Sequence, residues 1–225
     1  MKLLSNKRET NQLIGIFLLS FSLLAFETTI TRILSVILYY HLAFMVISLA
    51  MLGLGAGGIY TYFSNRLKEK TDFFISLFAL FSSIAIIFSL ILTLSLPLKP
   101  FVSIKTFFDL WFLYLLFASP FFFAGVSLSL TFFQLSKKIG KVYFCDLIGA
   151  SIGALLIVPL LYVIDAPTLI IFIAFSTAFS SFFFSLNCQK RFKIITGILT
   201  ISLLFLAFLN FHYQTIKVSY VKGGE

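Results

Sequence analysis

Apolar residues run through this chain in stretches too long and too evenly hydrophobic for a water-facing helix or strand. Polar breaks divide the sequence into seven of them: residues 13–39, 41–63, 72–98, 107–135, 142–163, 168–186 and 194–211. About 20 apolar residues suffice for a helix to cross the hydrocarbon core of a bilayer. The pattern therefore predicts an all-α fold, a polytopic helical membrane bundle of about seven transmembrane helices over residues 1–211, with a tail over 212–225. The last stretch is the shortest and leaves six or seven crossings open. Pro120 lies inside the fourth stretch; proline removes a helix hydrogen bond, which predicts a kink over 118–122. Asp165, Ala166 and Pro167 predict a tight turn. In the tail, Ile216, Val218 and Tyr220 alternate with Lys217 and Ser219, a period of two that reads as the start of a strand. It is either the entrance to a further domain or an ordinary tail.

Composition agrees with this pattern. Hydrophobic residues make up 60% of the chain and charged residues 11%, and the mean hydropathy is +1.07. A water-soluble domain of this length needs far more polar surface. The net charge of +9 would suit nucleic acid, but the basic residues sit in short breaks between apolar runs. The N-terminal segment and the breaks after the second, fourth and sixth stretches hold Lys2, Lys7, Arg8, Arg66, Lys68, Lys70, Lys137, Lys138, Lys141, Lys190, Arg191 and Lys193, which is 12 of the 17 Lys and Arg. Alternate breaks are enriched, as expected of cytoplasmic loops, so the expected partner is a lipid bilayer and not nucleic acid. The expectation is a cell (inner) membrane, a cytoplasmic N-terminus and, with seven crossings, an external tail. Cys145 and Cys188 fall at cytoplasmic breaks and show no disulfide or metal-ligand spacing. The first stretch is too long for a cleavable signal and lacks a small-residue cleavage site.

Few residues carry candidate chemistry. Glu27 and Arg32 lie inside the first apolar stretch, where a charge costs roughly 2.5–3.5 kcal/mol on insertion scales. On a helix Glu27 shares a face with Thr31 and with Ser20, whereas Arg32 lies about 140° round from Glu27 and would reach another span. Asp109, at comparable depth, is a candidate partner for Arg32. Glu27 and Arg32 are either a buried polar lock that fixes helix register or part of a ligand site. Tyr143 and Asp146 open the fifth stretch, where an acid suits a helix start. Ligand-binding candidates are thus Glu27, Thr31, Arg32, Asp109, Tyr143 and Asp146. Gly53, Gly55 and Gly58 match the dinucleotide pattern G-x-G-x-x-G, but that motif needs a preceding strand and an acid about 20 residues on, and neither is present. Gly53 with Gly57, and Gly149 with Gly153, instead make small-xxx-small faces for close helix packing. No catalytic triad, phosphate loop, metal cluster or cofactor fingerprint is recognisable.

Four segments together resemble the membrane-bound spermidine synthase-like family. Glu27 to Thr31-Arg32 is similar to its E-x-x-x-T-R signature, and Leu52-Gly53-Leu54-Gly55-Ala56-Gly57-Gly58 to its glycine-rich second span. Ser119-Pro120 through Gly125 looks like its Pro-to-Gly segment. Tyr143, Asp146, Gly149-Ala150 and Gly153-Ala154, followed by Pro159, resemble its Y-x-x-D/N-x-x-G-A-x-x-G-A element. The resemblance covers roughly residues 15–165. It implies a membrane bundle that anchors a soluble methyltransferase-like, aminopropyltransferase-like domain or partner and binds or passes a polyamine or related amine. The acids of that soluble active site have no counterpart here, so it implies no enzymatic activity for this chain alone. A stand-alone transporter or transporter half, or a purely structural anchor, are the alternatives.

Overall fold

Long apolar segments with no water to bond their amides must satisfy the backbone internally, and helices do so within one segment. In the computed structural model the backbone is described for residues 2–37, 40–95 and 104–213, and side chains for 7–35, 44–92, 111–112 and 114–213. Over these residues the chain is helical and contains no strand: α1 (Lys2–Ile37), α2 (Tyr40–Phe63), a short α3 (Asn65–Glu69), α4 (Thr71–Ser95), α5 (Ile104–Gln134), α6 (Ile139–Val163), α7 (Ala166–Ser185) and α8 (Lys190–Tyr213). All but α3 are long and apolar enough to cross a membrane, seven in number among the described residues. This is the architecture of a multi-pass membrane protein.

The helices differ from the sequence pattern mainly at their ends. α1 begins at Lys2, so residues 2–12 extend the first helix. α8 spans 24 residues, about 36 Å, which exceeds the hydrocarbon thickness. Residues 64–71 are not a plain loop, because α3 forms there and buries Leu67. The alternating segment 216–220 lies outside the described residues. α5 runs as one helix through Pro120. The proline cannot donate to the Leu116 carbonyl, and the Ser119 hydroxyl donates to it instead at 2.8 Å. A hydroxyl one residue away thus repairs the hydrogen bond that proline removes.

Two devices hold the helices together. Glycine joins helices that run in the same direction. On α2, a Cβ at Gly53 would stand 2.7 Å from the Ala118 carbonyl oxygen, and one at Gly57 2.5 Å from that of Phe122. On α6, Gly149 and Gly153 sit against the backbone of Phe17 and Phe21 of α1. Serine joins helices that run in opposite directions. Ser76 and Ser181 each donate to the other's carbonyl at 2.7 Å, linking α4 and α7. Ser83 donates to Ala174 at 2.8 Å, Ser82 to Pro120 at 2.9 Å, Ser127 to Ile75 at 2.9 Å and Ser180 to Gly15 at 2.7 Å. Without a hydrophobic drive between helices in lipid, close packing and such bonds supply the association. α7 is the most enclosed helix and α6 the least; exposed Phe, Leu and Ile on α2, α6 and α8 form the outer surface.

Gly57→Ala should therefore destabilise the bundle by about 1–3 kcal/mol, since the clash is with backbone. Gly55→Ala, at a position with nothing within 4 Å, should leave the melting temperature in detergent unchanged. Equal behaviour of the two variants would contradict the packing.

Candidate functional site

α1 carries the polar groups that matter. Glu9, Ser20, Glu27 and Thr31 fall within about 40° of one line along it, because 7 and 11 residues each come close to whole turns. Two members of that line, Glu9 and Ser20, meet α6 and the turn before it, and α6 runs parallel to α1. At the outermost level Lys138 and Lys141 pair with Glu9. About 16 Å further along, eleven residues at the helical rise, the Ser20 hydroxyl donates to Asp146 of α6. Two turns further along stands Glu27. It is half-buried and makes no ion pair or side-chain hydrogen bond among the described residues. Thr31 turns its hydroxyl back onto the Glu27 carbonyl at 2.7 Å, which leaves its oxygen free only to accept.

The candidates sort as follows. Asp146 meets α1 at Ser20, on the helical line that also carries Glu27. Asp146 does not start its helix: α6 begins at Ile139, which puts the carboxylate two turns inside, beyond the favourable end of the helix dipole. Tyr143 points outward and is 55% exposed, away from that seam. Arg32 is exposed and forms no ion pair among the described residues. Asp109 lies in α5, but its side chain is outside the described residues, and with it the Arg32–Asp109 pairing. The four glycines lie in the two parallel-helix contacts. Among the described residues no three His, Cys, Asp or Glu side chains come together.

A second polar cluster was not anticipated from the sequence. Arg8 donates to Asp72 at 2.6 Å. Gln12, only 2% exposed, donates to Asp72 at 3.0 Å and to Gln134 at 2.7 Å, and Gln134 donates to Asp72 at 2.9 Å. This ring ties α1, α4 and α5 at the end of the bundle where the basic breaks gather. Its one signal in the sequence is a glutamine at the edge of each of two apolar runs. Both carboxylate oxygens of Asp72 are occupied, so the ring acts as a lock. Cys188 lies near it; burial first, then the Asp72 carboxylate, push its thiol up to about 11.

No protein-family model, no curated protein and no solved structure matches this chain.

Asp72→Ala should cost about 2–3 kcal/mol, since it orphans a buried amide and removes bonds to a charged group. Glu9→Gln, whose lysine partners are exposed, should cost less; equal losses would contradict the lock. Cys188 should alkylate slowly at pH 7.5 and faster as pH climbs toward 11. Because its folded value lies above the ordinary 9.0, its contribution to stability is complete below about pH 9 and lost as pH rises through the folded value. Rapid alkylation at neutral pH in the folded protein would overturn this assignment.

Proposed function

We propose that this bundle is the membrane module of a spermidine synthase-like protein, which anchors a soluble catalytic partner and binds or passes an organic cation of the polyamine class. The observation that carries the cation reading is the Ser20–Asp146 hydrogen bond. It brings Asp146 onto the α1 line that also holds Glu27, about 10 Å further along. Neither carboxylate has a basic partner among the described residues. Two acids at membrane depth, spaced along one seam, suit a ligand with two separated ammonium groups, because each acid needs a counter-charge, a proton or water. The closed pairs at Glu9 and Asp72 already have their partners and leave no such demand. The four motif segments given above support the family, and the gathering of basic breaks at one end supports a cytoplasmic N-terminus in a cell membrane.

Thermal unfolding in detergent, with and without spermidine, tests the site. Spermidine should raise the melting temperature of the wild-type chain, and Glu27→Gln and Asp146→Asn should lose most of that rise while remaining folded. Equal stabilisation of wild type and both variants would exclude the seam. For the orientation, cysteines at Ser64 and Ser136 should label from the cytoplasmic side and one at Ser103 from the opposite side; labelling of all three from one side would contradict it.

A further inference from the structure

We infer that the chain is an inverted repeat that works by alternating access: two intertwined helix triplets rock about a shared seam and expose a solute path to one side at a time. The evidence is the packing topology. α6 lies parallel on α1 through Gly149 and Gly153, and α2 lies parallel on α5 through Gly53 and Gly57, with the same four-residue spacing. α7 packs antiparallel on α1, and α4 antiparallel on α5; α4 and α7 pack antiparallel on each other. Exchanging α1 with α5, α2 with α6 and α4 with α7 reproduces these contacts. Each helix of the first set runs opposite to its counterpart, so the operation is a two-fold axis in the membrane plane. α8 stands outside the repeat, and the packing of α2 on α1 has no counterpart of equal extent between α5 and α6.

The sequence carries a trace of the same relation. Gly53 and Gly57 fall on Gly149 and Gly153. In one ungapped register, Phe78, Phe81 and Ser82 of α4 fall on Phe172, Phe175 and Ser176 of α7. The phenylalanines touch in both, with ring centroids 6.2 Å and 5.8 Å apart. Repeats of this kind are common in secondary transporters, where the two-fold relation supplies two equivalent end states.

The contacts also define the moving parts. One triplet is α1, α6 and α7, with α8 attached; the other is α5, α2 and α4. They meet chiefly along α4–α7, where the Ser83 hydroxyl bonds the Ala174 carbonyl close to the two-fold position of that register and provides a local pivot. The ring at the basic end crosses between them: Arg8 and Gln12 belong to the first triplet, Asp72 and Gln134 to the second. At the opposite end no ion pair joins the triplets among the described residues. The buried Tyr114 hydroxyl of the second triplet has no hydrogen-bond partner among the described residues. The structure is thus latched at the basic end, and a two-fold related state would release that latch.

The inference requires no particular solute, so its failure leaves the cation reading intact. The test is double electron–electron resonance on the full chain in nanodiscs, with Cys145 and Cys188 replaced by Ser. One label pair, Asn65 and Asn187, spans the triplets at the basic end; another, Phe112 and Tyr162, spans them at the opposite end. Asp72→Asn should raise the population of a longer basic-end distance about tenfold or more, with a matching population of a shorter opposite-end distance. Gln12→Met, which breaks the ring without touching a charge, should do the same more weakly and serves if the first variant misfolds. Lengthening at the basic end alone would reduce the ring to a local latch and overturn the inference. So would unchanged distances at both ends in both variants.

Discussion

Most polar groups inside this bundle are satisfied by another part of the bundle. A bilayer core offers little water, so hydroxyls and amides at that depth find their partners on a neighbouring helix or on their own backbone. The serine hydroxyls satisfy this by reaching across to carbonyls, which fixes both the pairing and the register of antiparallel helices. Ser76 with Ser181 and Ser180 with Gly15 are set this way. The glycines work on the complementary problem: with no side chain to keep backbones apart, parallel helices approach until main chain meets main chain. Even the proline in α5 obeys the constraint, since the carbonyl it strands is taken up by Ser119.

The same constraint separates groups that hold structure from groups that await a partner. Asp72 has both oxygens occupied, and Glu9 is held between two lysines. These acids lie near the bundle end, where their charges are cheapest to keep. Among the described residues Glu27, which lies deeper, stands without a bond from its side chain, and Asp146 holds only the Ser20 hydroxyl. A carboxylate left in that state at depth is costly to keep for structure alone. That imbalance makes the α1–α6 seam, and not the better bonded end cluster, the candidate for a ligand.

Much of the fold was legible in the sequence, because the length of an apolar run translates directly into a membrane-crossing helix. The small-residue spacing in the second and fifth stretches was equally plain. Partner choice was not legible. Ser20, Glu27 and Thr31 could be placed on one face from helical periodicity, but nothing along the chain says that Asp146 meets them. The polar look of residues 1–12 hid a helix whose Gln12 is buried against residues 60 and 122 positions away. Asp146 resembled a helix start because the lysines up to Lys141 looked like loop; the helix in fact begins at Ile139 and takes in Lys141. Side chains that bond across the bundle leave no periodic mark in their own segment.

The account depends most on α6 lying parallel to α1 with Asp146 against Ser20. Oxidative cross-linking tests this directly in a chain with Cys145 and Cys188 replaced by Ser. Cysteines introduced at Ser20 and Asp146 should form a disulfide readily in the folded protein. Cysteines at Ser20 and Phe144, which faces outward, should not. A folded Ser20/Asp146 variant that fails to cross-link, or cross-links no better than the Phe144 control, would contradict the seam and the reading built on it.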